Sequence, residues 1–275
     1  MKKFGLILAV CLLLAMLFTG CNKPAVMESP TTEAAVATEA PTETPTEAPT
    51  EAHNETVTEP AAEEQVDIVY EGEAASYINE VYSKQISRYA IALAERWNEG
   101  AYFENGMSEL PSYYYKGNPL ENVGFGFVDL DNDGSLELVI GAIMNADKDP
   151  AVFEIWTLVD GEPVMLAQGG ARNRYVLQYV AEDEMWYIVN EASNGAANGA
   201  TYYLMLNEGK LKVVQGIIYD AYANERNPWF LTYELNWKVS GNKSIDEGTA
   251  NAILEINRNY YVALDYIPYS AFIVE

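Results

Sequence analysis

Residues 125–141, FGFVDLDNDGSLELVIG, place two apolar runs on either side of a short acidic loop. Four acidic side chains lie within nine residues of this segment: Asp129, Asp131, Asp133 and Glu137. Carboxylates this close together repel one another unless a cation lies between them, and the sequence has no Lys or Arg between residues 121 and 148. Because calcium prefers such oxygen ligands, the segment predicts a calcium loop between two strands.

The acidic residues occupy the positions that a DxDxDG calcium loop requires. Positions 1, 3 and 5 supply side-chain oxygens, position 6 turns sharply, position 7 offers a backbone carbonyl, and position 9 binds directly or through water. In that order the residues are Asp129, Asp131, Asp133, Gly134, Ser135 and Glu137. An EF-hand is excluded because position 12 is Ile140 and both flanks have strand patterns. The alternative is a hairpin turn whose acids are solvated.

The first twenty residues have the pattern of a secretory signal. A charged start, MKK, precedes an apolar stretch at residues 5–18 that is too short for a comfortable membrane span. The next segment, LFTGC at residues 17–21, resembles the lipobox of bacterial lipoproteins, although Phe18 stands where Leu is usual. This resemblance implies that residues 1–20 are removed and that lipid on Cys21 anchors the protein to the outer face of the bacterial cytoplasmic membrane. An ordinary signal peptide or a single-pass anchor is the alternative.

Residues 21–66 begin with this cysteine and continue as a segment rich in Thr, Pro, Glu and Ala. Repeats such as TEAPTETPTEAPTEA contain almost no large apolar side chain, so the segment cannot bury a core. Extended at about 3.1 Å per residue, it would reach roughly 140 Å. We therefore predict a disordered stalk at residues 21–66 and one globular domain at residues 67–275.

The acidic loop resembles the calcium loops of FG-GAP and VCBS repeats over about 20 residues, with Glu137 in place of the usual Asp. The plan of lipobox, stalk and single domain, together with the closing stretch LDYIPYSAF at residues 264–272, resembles uncharacterised surface lipoproteins of Gram-positive bacteria. The resemblance implies an extracellular, lipid-anchored protein. It implies no particular activity.

The scarcity of Cys and His excludes several kinds of active site. The chain has two cysteines, Cys11 in the signal and Cys21 in the lipobox, and its single histidine, His53, lies in the stalk. A Ser-His-Asp triad, a Cys-His pair and a zinc site of His or Cys ligands are therefore not available to the domain. The net charge of −25 makes nucleic acid and anionic lipid surfaces poor partners. We expect a monomer.

The domain pattern predicts an α+β fold, mainly an antiparallel β meander. A three-and-four spacing of apolar residues from Ile78 to Trp97 predicts an N-terminal helix that ends before Gly100, and Ser244 with Glu247 predicts the capped start of a C-terminal helix. Strands are predicted at residues 123–130, 136–143, 152–159, 163–167, 175–180, 186–189, 202–206, 211–219 and 230–239. Asp160-Gly161 and Glu208-Gly209 predict hairpin turns.

A weak internal repeat suggests a propeller-blade-like meander as a variant of this fold. WTLVDGEPVMLAQG, from Trp156, and YLMLNEGKLKVVQG, from Tyr203, are 47 residues apart, which is near the length of a four-stranded blade. Hairpins that follow the same rules also resemble one another, so the repeat does not by itself predict a propeller.

The predicted function is a non-catalytic binding or interaction domain that calcium stabilises. Aromatic residues including Trp156, Trp186, Trp229 and Trp237 would contact a glycan or peptide ligand if exposed, whereas burial in strands is the alternative. Arg172 and Arg174 are expected to form internal ion pairs, with a carboxylate clamp as the alternative. A second candidate function is hydrolysis of envelope glycans by two carboxylates. It requires two acids outside residues 129–137 to converge in an aromatic-lined cleft.

Overall fold

The structure is a computed structural model that describes residues 74–271. The predicted signal peptide, Cys21 and the stalk at residues 21–66 lie outside the described residues. Within residues 74–271, none of the helices combines the length and apolar character needed to cross a bilayer.

The amphipathic pattern at the start of the domain forms a π-helical turn, Tyr77–Val81, and helix α1, Ser83–Ala94. The predicted extension to Trp97 is wrong because Arg96 adopts φ 53° and the Trp97 and Arg96 amides donate to the Ala92 and Leu93 carbonyls, the bonds of a Schellman motif. Gly100 lies inside helix α2, Glu99–Glu104, rather than ending α1. A 3₁₀ turn, Leu110–Tyr114, and helix α3, Pro119–Asn122, lead to the first strand.

The described residues form one open, antiparallel sheet. Its strands are β1 Val123–Val128, β2 Glu137–Ala142, β3 Val152–Val159, β4 Glu162–Gln168, β5 Asn173–Val180, β6 Met185–Ser193, β7 Asn198–Asn207, β8 Lys210–Asp220, β9 Trp229–Thr232, β10 Lys243–Ser244, β11 Tyr261–Val262 and β12 Ile267–Pro268. The order is β10-β9-β8-β7-β6-β5-β3-β2-β1-β12, with β4 beside β3 and β11 beside β5. The predicted α+β class is therefore consistent with the structure.

Both predicted hairpin turns are confirmed. Asp160 and Gly161 (φ 54° and 84°) join β3 to β4, and Glu208 and Gly209 (φ 53° and 68°) join β7 to β8. Two consecutive residues with positive φ are characteristic of a type I′ turn, whose twist matches that of the adjoining strands.

The strand predicted at residues 230–239 is wrong beyond Thr232, because β9 ends at that residue. The alternating residues Tyr233, Leu235 and Trp237 are 62%, 59% and 41% exposed and contribute no buried face. The Thr232 hydroxyl accepts a hydrogen bond from the Glu234 amide at 3.2 Å, so local side-chain bonding replaces the strand ladder there.

Two large apolar clusters lie on opposite faces of the sheet. The first packs α1, through Ile86 and Leu93, against Phe125, Ile140 and Phe153 of β1–β3. The second joins residues from both halves of the sheet, among them Val139, Ile155, Ile188, Leu204 and Ile218. The second cluster therefore extends along one face of the sheet from β2 to β8.

Helix α4, Glu247–Arg258, covers part of the other face of β5–β9 through Ala250, Ile253 and Leu254. The predicted cap at Ser244 is wrong. Asp246 is the N-cap and accepts hydrogen bonds from the amide and the hydroxyl of Thr249 at 2.9 and 2.7 Å.

The C-terminal segment completes the sheet beside the acidic loop. Strand β12 pairs with β1, and Tyr266 lies over the cross-strand pair Gly124 and Gly141. A Cβ atom at Gly141 would lie 2.7 Å from Tyr266 Cζ, and one at Gly124 would lie 2.6 Å from the Ile267 carbonyl oxygen. The two glycines therefore provide the space that the closing segment occupies.

Candidate metal centre

The acidic loop connects β1 to β2, and the pair Val128↔Glu137 closes the ladder beneath it. Leu130 is 2% exposed and anchors the loop in the second apolar cluster. Asn132 and Gly134 have φ values of 59° and 92°, so the predicted sharp turn at Gly134 is present. The apolar strands thus fix both ends of the loop while its tip stays exposed.

Hydrogen bonds inside the loop hold the acidic side chains in place. Asp129 Oδ1 and Oδ2 accept from the amides of Asp133 and Gly134 at 3.1 and 3.0 Å. Asp133 Oδ1 accepts from the Ser135 amide at 2.7 Å. These bonds curl the backbone around Asp129, which directs the loop acids toward one another.

Glu137 is the most buried acid of the loop, with 1% of its surface exposed. Its Oε2 accepts from the Leu130 amide at 2.8 Å, and its Oε1 accepts from the Thr157 hydroxyl of β3 at 2.9 Å. Each oxygen retains a second lone pair that a cation can use.

Among the described residues, Asp129, Asp131 and Glu137 each place a carboxylate oxygen within 4.8 Å of the other two. Asp131 Oδ1 is buried and has no hydrogen-bond partner among those residues. A buried carboxylate oxygen without a donor is costly unless a cation compensates it. The oxygen donor set and this unpaired atom fit a hard divalent cation such as calcium.

The electrostatics of the loop favour binding of a positive charge. Burial, assisted by the charges of Asp131 and Asp133, raises the pKa of Glu137 from 4.5 to about 7, although its two hydrogen bonds act in the opposite direction. Burial and the neighbouring Asp133 and Asp129 also raise the pKa of Asp131. A cation would favour the charged forms of both groups.

The structure brings three of the five predicted ligands together. Asp133 is exposed and lies outside the group of three, and participation of Asp133 and the Ser135 carbonyl stays a prediction. The second acidic loop, at residues 145–149, contributes no residue to the described group. Its Asp149 instead forms an ion pair with Arg174, as expected for that arginine, whereas the ion pair expected for Arg172 is not formed with any described residue.

Two supporting groups could not be found from the sequence motif. Thr157 reaches Glu137 from β3, and the Glu184 carbonyl accepts a hydrogen bond from Asn132 Nδ2 at 3.2 Å across the fold. The only sequence signal for Thr157 is that it is a hydroxyl residue within the apolar run that forms the buried strand β3.

Calcium-dependent stabilisation is expected to increase with pH. Because the folded pKa of Glu137 lies above its ordinary value of 4.5, the ion-free domain is stabilised below pH 4.5 and loses that contribution as pH rises through about 7. Calcium replaces the proton, so the calcium-induced rise in melting temperature should be small at pH 5 and reach its full size near pH 8. Thermal melts with and without calcium at several pH values measure this. Glu137→Gln should weaken the dependence, and a shift independent of pH between 5 and 8 would contradict it.

No protein-family model, curated protein or solved structure matches this chain. The candidate site's three carboxylates, of which that of Glu137 is buried, and its position between two paired strands fit a cation.

Proposed function

We propose that the domain is a non-catalytic binding or interaction module stabilised by calcium at Asp129, Asp131, Glu137, Asp133 and the Ser135 carbonyl. The observation that carries this proposal is the buried, unpaired Asp131 Oδ1 beside the carboxylates of Asp129 and Glu137. The proposal includes the resemblance to Gram-positive surface lipoproteins, with an extracellular domain held by lipid on Cys21 through a stalk. The two hairpins that start near Trp156 and Tyr203 support a blade-like origin of the meander.

Direct titration of calcium into the protein tests the metal site. We expect one calcium per chain, with a dissociation constant near 10⁻⁴ to 10⁻³ M as in other extracellular modules. Asp129→Asn removes one charged ligand oxygen and should weaken binding by tenfold or more. Wild-type protein that binds no calcium at millimolar concentration would contradict the proposal.

The lipid anchor is tested separately. Cys21→Ser removes the thiol that lipid requires, so we expect the variant either to leave the detergent phase of a phase-partitioning assay, in which the wild type stays, or to remain uncleaved before residue 21. Cys11→Ser, at the other cysteine, is the control and should partition as the wild type does. Unchanged partitioning together with unchanged processing of Cys21→Ser would refute lipidation at this position.

Hydrolysis by two carboxylates has weaker support. A cleft of about 380 Å³ contains Asp147, Asp149 and Glu191 beside Tyr261, which meets part of the expected geometry. However, Asp149 is paired with Arg174, and Glu191 accepts a hydrogen bond from the Tyr261 hydroxyl at 3.1 Å and lies 3.8 Å from Arg258 Nε. Such pairing suits binding better than the proton donation that glycoside cleavage requires.

A further inference from the structure

Helix α4 packs on one face of β5–β9 but leaves part of that face uncovered. A second cleft, of about 360 Å³, lies in the uncovered part. The side chains that give it chemical character are Arg172, Arg174, Glu191, Tyr219, Trp229 and Arg258. This volume is near the lower end of the range for small-molecule sites and suits one or two rings.

The register of the sheet explains why the cleft forms at this position. Ser193, Gly199, Tyr219 and Trp229 are successive cross-strand partners on β6–β9, so they lie in one row on the same face. Gly199 contributes no side chain to this row. Tyr219 and Trp229 lie on one side of the cleft, with their ring centroids 4.9 Å apart and their ring planes at 63°.

The cleft differs in charge from the chain as a whole, which has 41 acidic and 16 basic residues. Of the four charged side chains among its described lining residues, three are arginines. Arg174 is paired with Asp149, and Arg258 lies near Glu191. No described residue offers a hydrogen bond or an ion pair to the guanidinium of Arg172, which leaves it free to bind an anion.

We propose that this cleft binds an acidic sugar of the uronic acid type. Arg172 would bind the sugar carboxylate, since a guanidinium matches its planar geometry, and the Tyr219–Trp229 pair would pack against the ring. Glu191 provides an acceptor for the ring hydroxyls. This proposal rests on the proposed binding function and names its ligand class and its site.

The same features disfavour a peptide and a phosphate as the ligand. Strands β5–β8 each have a neighbour on both sides, so the cleft offers no free strand edge for a peptide to extend. Glu191 would repel a doubly charged phosphate more strongly than a singly charged carboxylate. A sugar that carries both a carboxylate and hydroxyl groups uses the arginine, the glutamate and the aromatic pair together.

Calorimetric titration of the purified full-length protein with glucuronate and digalacturonate, in saturating calcium, tests the proposal. Glucose, which lacks the carboxylate, and inorganic phosphate are the comparison ligands. We expect a uronate to bind and glucose to bind at least tenfold more weakly. Arg172→Ala should weaken uronate binding by about ten- to hundredfold, because it removes charge-assisted hydrogen bonds.

Two further variants separate the site from general effects. Gly199→Leu should abolish binding by filling the cleft, and its Cβ would meet only the Ala192 carbonyl oxygen, at 3.4 Å, beyond the adjoining residues. Arg226→Ala removes an exposed arginine outside the cleft and should change nothing. Absence of uronate binding, equal binding of glucose, tighter binding of phosphate, or unchanged binding in Arg172→Ala would each overturn the proposal. The calcium titration is a separate measurement, so failure of the cleft leaves the metal site intact.

Discussion

Calcium at one hundred times its dissociation constant is expected to stabilise the folded domain by about 2.7 kcal/mol, because the loop acids converge only in the folded state. For a domain of this size the corresponding rise in melting temperature is roughly 5 to 10 °C. Asp131→Ala removes the buried, unpaired oxygen and should abolish this rise while the domain stays folded, since Asp131 belongs to neither of the two large apolar clusters. Thermal melts of both proteins with and without calcium measure the effect.

The matched control is Asp147→Ala, which removes an exposed acid from the neighbouring loop. It should respond to calcium as the wild type does. If calcium leaves the wild-type melting temperature unchanged, or if Asp131→Ala gains as much stability from calcium as the wild type, the loop is a solvated turn.

Replacement of Glu154 by Leu is expected to destabilise the domain by about 3 kcal/mol. Glu154 is 2% exposed and accepts hydrogen bonds from the Ser108 amide at 3.0 Å and from Trp156 Nε1 at 2.9 Å. Without the carboxylate both buried donors lose their partner, at about 1 to 3 kcal/mol each. Burial of the Glu154 carboxyl is itself unfavourable and raises its pKa, so removal of the carboxyl offsets part of this loss.

Urea unfolding curves of three variants check the explanation. Glu154→Gln keeps an acceptor oxygen and should lose less stability than Glu154→Leu. Glu162→Leu makes the same change at an exposed position of β4 and should stay within about 0.5 kcal/mol of the wild type. Equal stabilities of Glu154→Leu and Glu162→Leu would show that the buried donors do not depend on the carboxylate.

Local sequence signals predicted the features that are local in the structure. Asp160-Gly161 and Glu208-Gly209 specify their turns through backbone conformation alone, and the contiguous loop motif identified Asp129, Asp131 and Glu137. The strand predicted at residues 230–239 is wrong beyond Thr232 because alternation alone does not show whether a buried face exists to receive the side chains. The cap of α4 was misplaced because Asp246 and Ser244 are both good caps, and only the folded chain selects one.

Features built from distant segments were beyond prediction. Thr157 contacts the candidate metal centre only because β3 lies beside β2, and Glu137 and Thr157 come from different strands. The second cleft combines residues from Arg172 to Arg258, which only the sheet order and the position of α4 bring together. Arg172 and Trp229 each stand out in the sequence. Because they lie far apart along the chain, the sequence does not show that they line the same cleft.

The docking of β12 on β1 has a consequence for how the protein is made. The outer edge of β1 and the space above Gly124 and Gly141 are filled by Tyr266 and Ile267, which are synthesised after all the other strands of the described sheet. A nascent or truncated chain that stops before residue 264 therefore exposes an unpaired strand edge, the feature through which unfinished chains associate with one another. The described sheet can be completed only after residues 266–268 have emerged, behind all its other strands, so the docking of this last strand is the closing step of its assembly.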